Sequence, residues 1–171
     1  MNNKNNIEAF LYYSNKKLSI CIQQSDKDFK FYEKSVKLDD NLNNLHLNAL
    51  NEFLNSNIFT IEKSLKRFIK NINLIIDHKE LLTITLSLKK KNYGDFLSSD
   101  SLSSLLKDAR NQIKENYNDK IITHMIVDKY LIDGEYFSYL PEKIKCENMC
   151  IDLHFICLSE DLIKKFEQSF S

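Results

Sequence analysis

Lys120-Ile121-Ile122-Thr123-His124-Met125-Ile126-Val127-Asp128-Lys129-Tyr130-Leu131-Ile132-Asp133-Gly134 is the stretch on which the reading of the second half of the chain turns. β-Branched and aromatic side chains suit a half-buried pleated surface, so a long strand is expected from Lys120 to about Leu131. Asp133-Gly134 ends it, because glycine accepts the positive φ of a tight turn. Upstream, residues 81–88 read LLTITLSL, a period-two alternation that predicts another strand. KKKNYGDF then reads as a turn-rich connection, with Lys89-Lys90-Lys91 as a solvated turn. Ser99 and Asp100 are placed to cap a helix whose apolar face is Leu102, Leu105, Leu106, Ala109, Ile113 and Tyr117. Downstream, a loop containing Pro141 leads to a last strand over residues 149–157, with Ile151, Leu153, Phe155 and Cys157 on one face. Ser159 caps a closing helix with Leu162, Ile163, Phe166 and Phe170 inward, and Glu160 and Asp161 in its first turn suit the helix dipole. The second half therefore reads strand, helix, strand, strand, closing helix.

The first half reads as a three-strand meander followed by two helices. Residues 9–13 and 18–22 are apolar runs separated by Ser14-Asn15-Lys16-Lys17, a hairpin pattern, and residues 29–38 alternate as a third strand. Leu42, Leu45, Ala49, Leu50, Phe53 and Leu54 keep helical spacing. Ile58, Ile61, Leu65, Phe68, Ile69 and Ile72 do the same, with Thr60 as the expected cap. Residues 73–77 form a short buried-strand candidate. The expected organisation is residues 1–80 followed by residues 81–171, in the α+β class.

Bulk properties narrow the function classes. A chain of 171 residues with 43% hydrophobic and 28% charged residues can build a real core. A formal net charge of +0 gives no basic field to hold nucleic acid or an anionic membrane. The sequence lacks a transmembrane-length apolar run and its N-terminus lacks a secretory h-region, so no membrane insertion and a cytoplasmic location are expected. Four cysteines, Cys21, Cys146, Cys150 and Cys157, are too sparse for a disulfide scaffold and are expected to stay reduced.

Two stretches resemble the FtsA family of actin-like bacterial cell-division proteins. The family carries a segment close to I-L-H-V-I-P-Q-E-Y-I-I-D-G, matched by Ile122 through Gly134, and later a strand close to V-D-V-H-I-I-T, matched by Ile151-Asp152-Leu153-His154-Phe155-Ile156-Cys157. Shared polar positions are His124, Tyr130, Asp133, Gly134, Asp152 and His154. Val127 stands where the family has proline, and residues 141–148 replace a Gly-rich loop. The resemblance implies that residues 81–171 are the family's small strand–helix–strand–strand interaction module. It implies that residues 1–80 are a degenerate remnant of the actin-like subdomain. In the family, a first hairpin with D-x-G-[S/T]-x-K cradles nucleotide phosphates. Here Leu11-Tyr12-Tyr13-Ser14-Asn15-Lys16 stands in its place, with Leu11 for the acid and Tyr13 for the glycine. A phosphate loop needs bare backbone N–H groups, so Leu11, Tyr13, Ser14 and Lys16 mark a degenerate loop, and neither a cofactor nor ATPase activity is expected.

The function this implies is non-catalytic protein–protein interaction at the division site. The partners would be other cell-division proteins, with self-association as a further option. The aromatic cluster Tyr130, Tyr136, Phe137 and Tyr139 is the expected binding patch, because aromatics are enriched at binding hot spots; its alternative is a loop folded over the sheet edge. Two other readings stay open: an actin-like pilus-assembly adaptor that binds a partner's peptide, and a fragment of a longer ATP-binding protein. Cys146-x3-Cys150 with His154 carries the spacing for a zinc reading, but no second pair accompanies it, and the cysteines are expected in the core instead. Cys157 or Cys21 with a histidine is a nucleophile–base pair on paper only, and Asp128, Asp133 and Glu135 are expected to be solvated acids.

Overall fold

Ser14-Asn15-Lys16-Lys17 does close a hairpin, between β1 (Ile7–Ser14) and β2 (Lys17–Gln24). The Ser14 hydroxyl oxygen accepts from the backbone N–H of Lys16 at 3.3 Å and of Lys17 at 3.0 Å, stapling the turn. The computed structural model describes residues 7–24, 29–38, 47–141 and 143–170, with Gln24 and Phe29 described by backbone alone. Strand β3 (Phe29–Lys37) pairs antiparallel with β2, and Leu38 N–H donates to Lys16 O at 2.8 Å, so the meander ends against the hairpin tip. Strand β4 (Asn73–Asp77) lies parallel to β1, giving the sheet order β3-β2-β1-β4. A parallel neighbour needs a crossover, and helix α1 (Leu47–Leu65) stands in that connection.

The inner face of this sheet follows from strand alternation. Ala9, Leu11 and Tyr13 pair across with Ile22, Ile20 and Leu18, and all six are buried. Expected as buried, β4 instead alternates between half-buried and exposed positions, as an edge strand does. The two expected helices are one. Asn55, Ser56 and Asn57 look like a break, yet Asn57 sits on the buried stripe of Leu50, Phe53, Leu54 and Ile61. There its amide donates to Phe53 O, and its carbonyl accepts from the Tyr32 hydroxyl at 2.8 Å, so the buried polar group costs little. Thr60 is consequently mid-helix rather than a cap. The helix stops at Leu65 because Lys66 takes a φ of 55° and Arg67 N–H reaches back to Glu62 O, a Schellman-type ending. Phe68, Ile69 and Ile72 therefore lie beyond it, and the expected helical positions Leu42 and Leu45 fall outside the described residues.

The second sheet is wholly antiparallel, in the order β5-β8-β6-β7. Its strands are β5 (Leu82–Lys91), β6 (Lys120–Ile132), β7 (Glu135–Phe137) and β8 (Asn148–Ser159). The three lysines expected in a turn are the last residues of β5. Odd-numbered β8 residues from Met149 to Cys157 face inward, under α2 (Ser99–Asn116), whose Leu105, Ala109 and Ile113 complete the core. Ser98, rather than Ser99, caps α2, its hydroxyl accepting from Ser101 N–H at 3.1 Å. Strand β6 carries two irregularities, at Thr123 and at Asp128, each an extra residue against β8. The Thr123 hydroxyl donates to Ile156 O at 2.9 Å across the first.

Helix α3 (Glu160–Ser169) is capped by Ser159, as expected, through the Leu162 N–H at 3.3 Å. Leu162 and Phe166 are buried, whereas Phe170 is exposed. The chain divides into two compact units, Met1–Lys79 with Lys165–Ser171, and Glu80–Lys164. The end of α3 thus counts with the first unit, where Phe166 meets the Tyr13 ring edge-on at 5.0 Å. The fold is α+β, two four-stranded sheets with three helices among the described residues, none of them long and apolar enough to cross a membrane.

Candidate functional site

Two places were marked by the sequence, the hairpin tip and the aromatic cluster. At the tip, Leu11 and Tyr13 are fully buried on the inner face, Leu11 opposite Ile20 and Tyr13 opposite Leu18. A carboxylate at position 11 would be desolvated among apolar side chains. Ser14 is buried, and its hydroxyl already binds the N–H groups of Lys16 and Lys17 and donates to Lys17 O at 3.2 Å. These are the backbone donors that a phosphate cradle would turn toward an anion.

The aromatic cluster belongs to one end of the second sheet. Strand β5 ends where β8 begins, Lys91 opposite Asn148, and β6 ends opposite Met149. The segments after β5, between β6 and β7, and before β8 therefore gather there. Asp133 and Gly134 make the β6–β7 turn with φ values of 46° and 95°. The Asp133 carboxylate accepts from Glu147 N–H at 2.9 Å and from Asn148 N–H at 2.8 Å, tying the turn to the start of β8. This acid, expected to be merely solvated, is a bracket. The residues after β5 are laced to the same segment: Asn92 N–H donates to Glu147 O, Gly94 N–H to Cys146 O and Leu97 N–H to Ile144 O. Gly94 has a φ of 77°, a conformation that favours glycine, while the one close neighbour a Cβ would meet, the Glu147 carboxylate at 3.1 Å, is the tip of an exposed side chain.

On this frame the four expected aromatics part company. Tyr130 and Phe137 are cross-strand partners, half-buried and packed against the core under α2. Tyr136 and Tyr139 stand out, 67% and 70% exposed, with the Lys129 ammonium 5.0 Å from the Tyr136 ring centre. Two further aromatics share this end. Tyr93, at a φ of 53°, is 77% exposed, and Phe96, 57% exposed, carries the Lys145 ammonium over its ring at 5.0 Å. The sequence reading passed over both as parts of a turn. The signal for them was a pair of aromatics inside a polar connection, where no core periodicity accounts for large rings.

The outer face of this sheet is polar. The Ser87 hydroxyl donates to Asp152, and Lys129 lies 3.4 Å from the same carboxylate, so hydroxyl and then ammonium hold Asp152 below the usual carboxylate range. His154 meets the Thr85 hydroxyl at 3.2 Å and lies 3.9 Å from Asp128. Each is a cross-strand or diagonal pair in open solvent, the sort that steadies a sheet. Cys157 faces the core while His124 and His154, opposite Ile156 and Ile126, lie on the other face, so the sheet itself separates Cys157 from both histidines. Cys146 and Cys157 are in the core as expected, but Cys21 and Cys150 are only half-buried. Burial pushes the Cys146, Cys150 and Cys157 thiols above the ordinary thiol range, which keeps them protonated. Among the described residues no cluster of three metal-ligating side chains occurs, and Cys146 sits in the core while Cys150 and His154 look outward.

No family model and no curated protein matches the sequence. Among solved structures the chain is similar to a Bacteroides thetaiotaomicron protein with actin-like ATPase fold and unknown function, at a TM-score of 0.41 and 13% identity over 99% of this chain and 52% of that one. The chain thus spans about half the length of that structure.

Proposed function

We propose that this chain is a non-catalytic protein–protein interaction unit of an FtsA-like, actin-related cell-division protein, acting in divisome assembly or partner recruitment through the aromatic end of its second unit. The observation that carries the reading is the gathering of Tyr93, Phe96, Tyr136 and Tyr139, all exposed, on a hydrogen-bonded frame. Large rings held by a rigid support lose little entropy on docking, and hot spots favour such residues. The strand–helix–strand–strand order of β5, α2, β6 and β8 supports the interaction-module assignment, since the family-like Tyr130, Asp133, Gly134, Asp152 and His154 each have a defined place in it. The three-strand meander with a parallel fourth strand supports the actin-related origin of the first unit. The hairpin tip supports the absence of ATPase chemistry, because its N–H donors are taken by Ser14.

The test is a fluorescent fusion of the full chain followed in dividing bacteria of its source, with calorimetric titration of Mg–ATP alongside. Recruitment to the septum that is lost on combining Tyr136→Ala with Tyr139→Ala, and no heat of ATP binding, is the expected result. Saturable ATP binding, or recruitment indifferent to both substitutions, would overturn it.

A further inference from the structure

Strand β5 is the outermost strand of its sheet. It pairs with β8 through ten consecutive residues without a bulge, and no described strand lies on its other side. An open edge presents unpaired N–H and C=O groups that template another chain, and sheets ordinarily guard such edges with charge, proline or a bulge. Here the guard covers one end only. Residues 82–88 read LTITLSL, without a charged side chain or a proline, while Lys89, Lys90 and Lys91 finish the strand. The residues opposite Lys89 and Lys91 are the neutral Cys150 and Asn148, and none of the three lysines has an ion-pair partner among the described residues. Adjacent ammonium groups on one strand repel, and a row of carboxylates beside them relieves that repulsion.

We propose that the open edge of β5 takes an extended segment of a partner protein as an added antiparallel strand, with two or three carboxylates at the segment's N-terminal end beside Lys89, Lys90 and Lys91. This rests on the reading of the second unit as an interaction module and names the chemistry of its partner. The antiparallel sense continues a sheet in which every pairing is antiparallel, and it sets the partner's N-terminus at the lysine end. Main-chain hydrogen bonds would supply the attachment and alternate side chains the selectivity. The partner's apolar positions would extend the row of half-buried Leu82, Ile84, Leu86 and Leu88, and its polar positions would meet the exposed Thr83, Thr85 and Ser87.

The experiment uses the full chain and two synthetic decapeptides of alternating valine and threonine, one opening with three glutamates and one with three lysines. Fluorescence anisotropy gives their affinities, and hydrogen exchange locates the contact. The glutamate peptide should bind at least tenfold more tightly and slow exchange at β5. Lys89→Glu with Lys91→Glu, both on the exposed face, should invert the preference without shifting the melting temperature. An unchanged order of affinities in that variant, protection away from β5, or equal competition by a single-stranded oligonucleotide, which marks a plain polyanion site, would overturn the proposal. The peptide assay reads this edge alone. Charge-dependent peptide binding together with septal recruitment untouched by Tyr136→Ala and Tyr139→Ala sinks the aromatic reading only, and the converse sinks this one only.

Discussion

Truncating the four aromatics near the β6–β7 turn one at a time should split them into two classes of stability. Tyr136 and Tyr139 are 67% and 70% exposed, so about a third of each side chain leaves water on folding. A fully buried aromatic removes roughly 200 Å² from solvent, so a third is roughly 60 Å². At about 25 cal/mol per Å² that is ~1.5 kcal/mol, reduced to about 1 kcal/mol by residual burial in the unfolded chain. The contact of Lys129 with the Tyr136 ring at 5.0 Å adds roughly 0.5 kcal/mol at an exposed position. Phe137 and Tyr130 are half-buried against the core, so their truncation should fall near the low end of the roughly 3–5 kcal/mol that buried aromatics cost. Each kcal/mol shifts the melting temperature of a chain of this length by roughly 2–4 °C. Phe137→Ala and Tyr130→Ala should therefore melt roughly 5 °C below Tyr136→Ala and Tyr139→Ala in thermal scans followed by circular dichroism. Equal losses for all four variants would mean that the exposed rings are structural, and the proposed interaction surface would lose its basis.

Three more outcomes follow from single contacts. Asp133→Ala removes a carboxylate that accepts from two backbone N–H groups and leaves alanine at a φ of 46°, so it should lower stability by about 2 kcal/mol in urea titration, with Asp133→Asn retaining part of that. Lys66→Gly relieves the positive φ at the end of α1 and should raise the urea midpoint, by up to about 1 kcal/mol of stability. Asp152 has a folded-state pKa below its unfolded one, chiefly from Ser87 and then Lys129. Its contribution is therefore complete above the unfolded value, about 4, and disappears as pH falls through the folded one. The stability gap between the native chain and Asp152→Asn should be constant near neutrality and close below about pH 4.

Period-two patterns were legible wherever a strand has one dry face. The alternation of LTITLSL and of Ile151, Leu153, Phe155 and Cys157 reappears as β5 and β8 with inner and outer sides as expected. The single helix α1 was not legible, because Asn57 looks like punctuation until Tyr32, distant in sequence, supplies its partner. Nor was the extension of β5 through three lysines, since their strand conformation comes from pairing with Lys91 opposite Asn148 rather than from local preference. Within the aromatic cluster, sequence could not tell Tyr130 from Tyr136, because that depends on register across β6 and β7. Tyr93 and Phe96 join the same end only through loops that close between residues about fifty positions apart, such as Phe96 and Lys145.

The two extra residues in β6 set the phase of everything that follows them. Up to Ile122 the even positions look inward, between the irregularities Val127 does, with the exposed Met125 on the same face opposite Phe155, and beyond Asp128 the even positions Tyr130 and Ile132 do again. Loss of Thr123 or of Asp128 alone would straighten the strand and leave Tyr130 and Ile132 on their face, whereas loss of a paired residue such as Ile126 would turn the later side chains over unless a bulge were given up to compensate. Length variation in this strand is therefore absorbed at two places: a single residue can be shed at either unpaired position without inverting the rest, and nowhere else along the paired run.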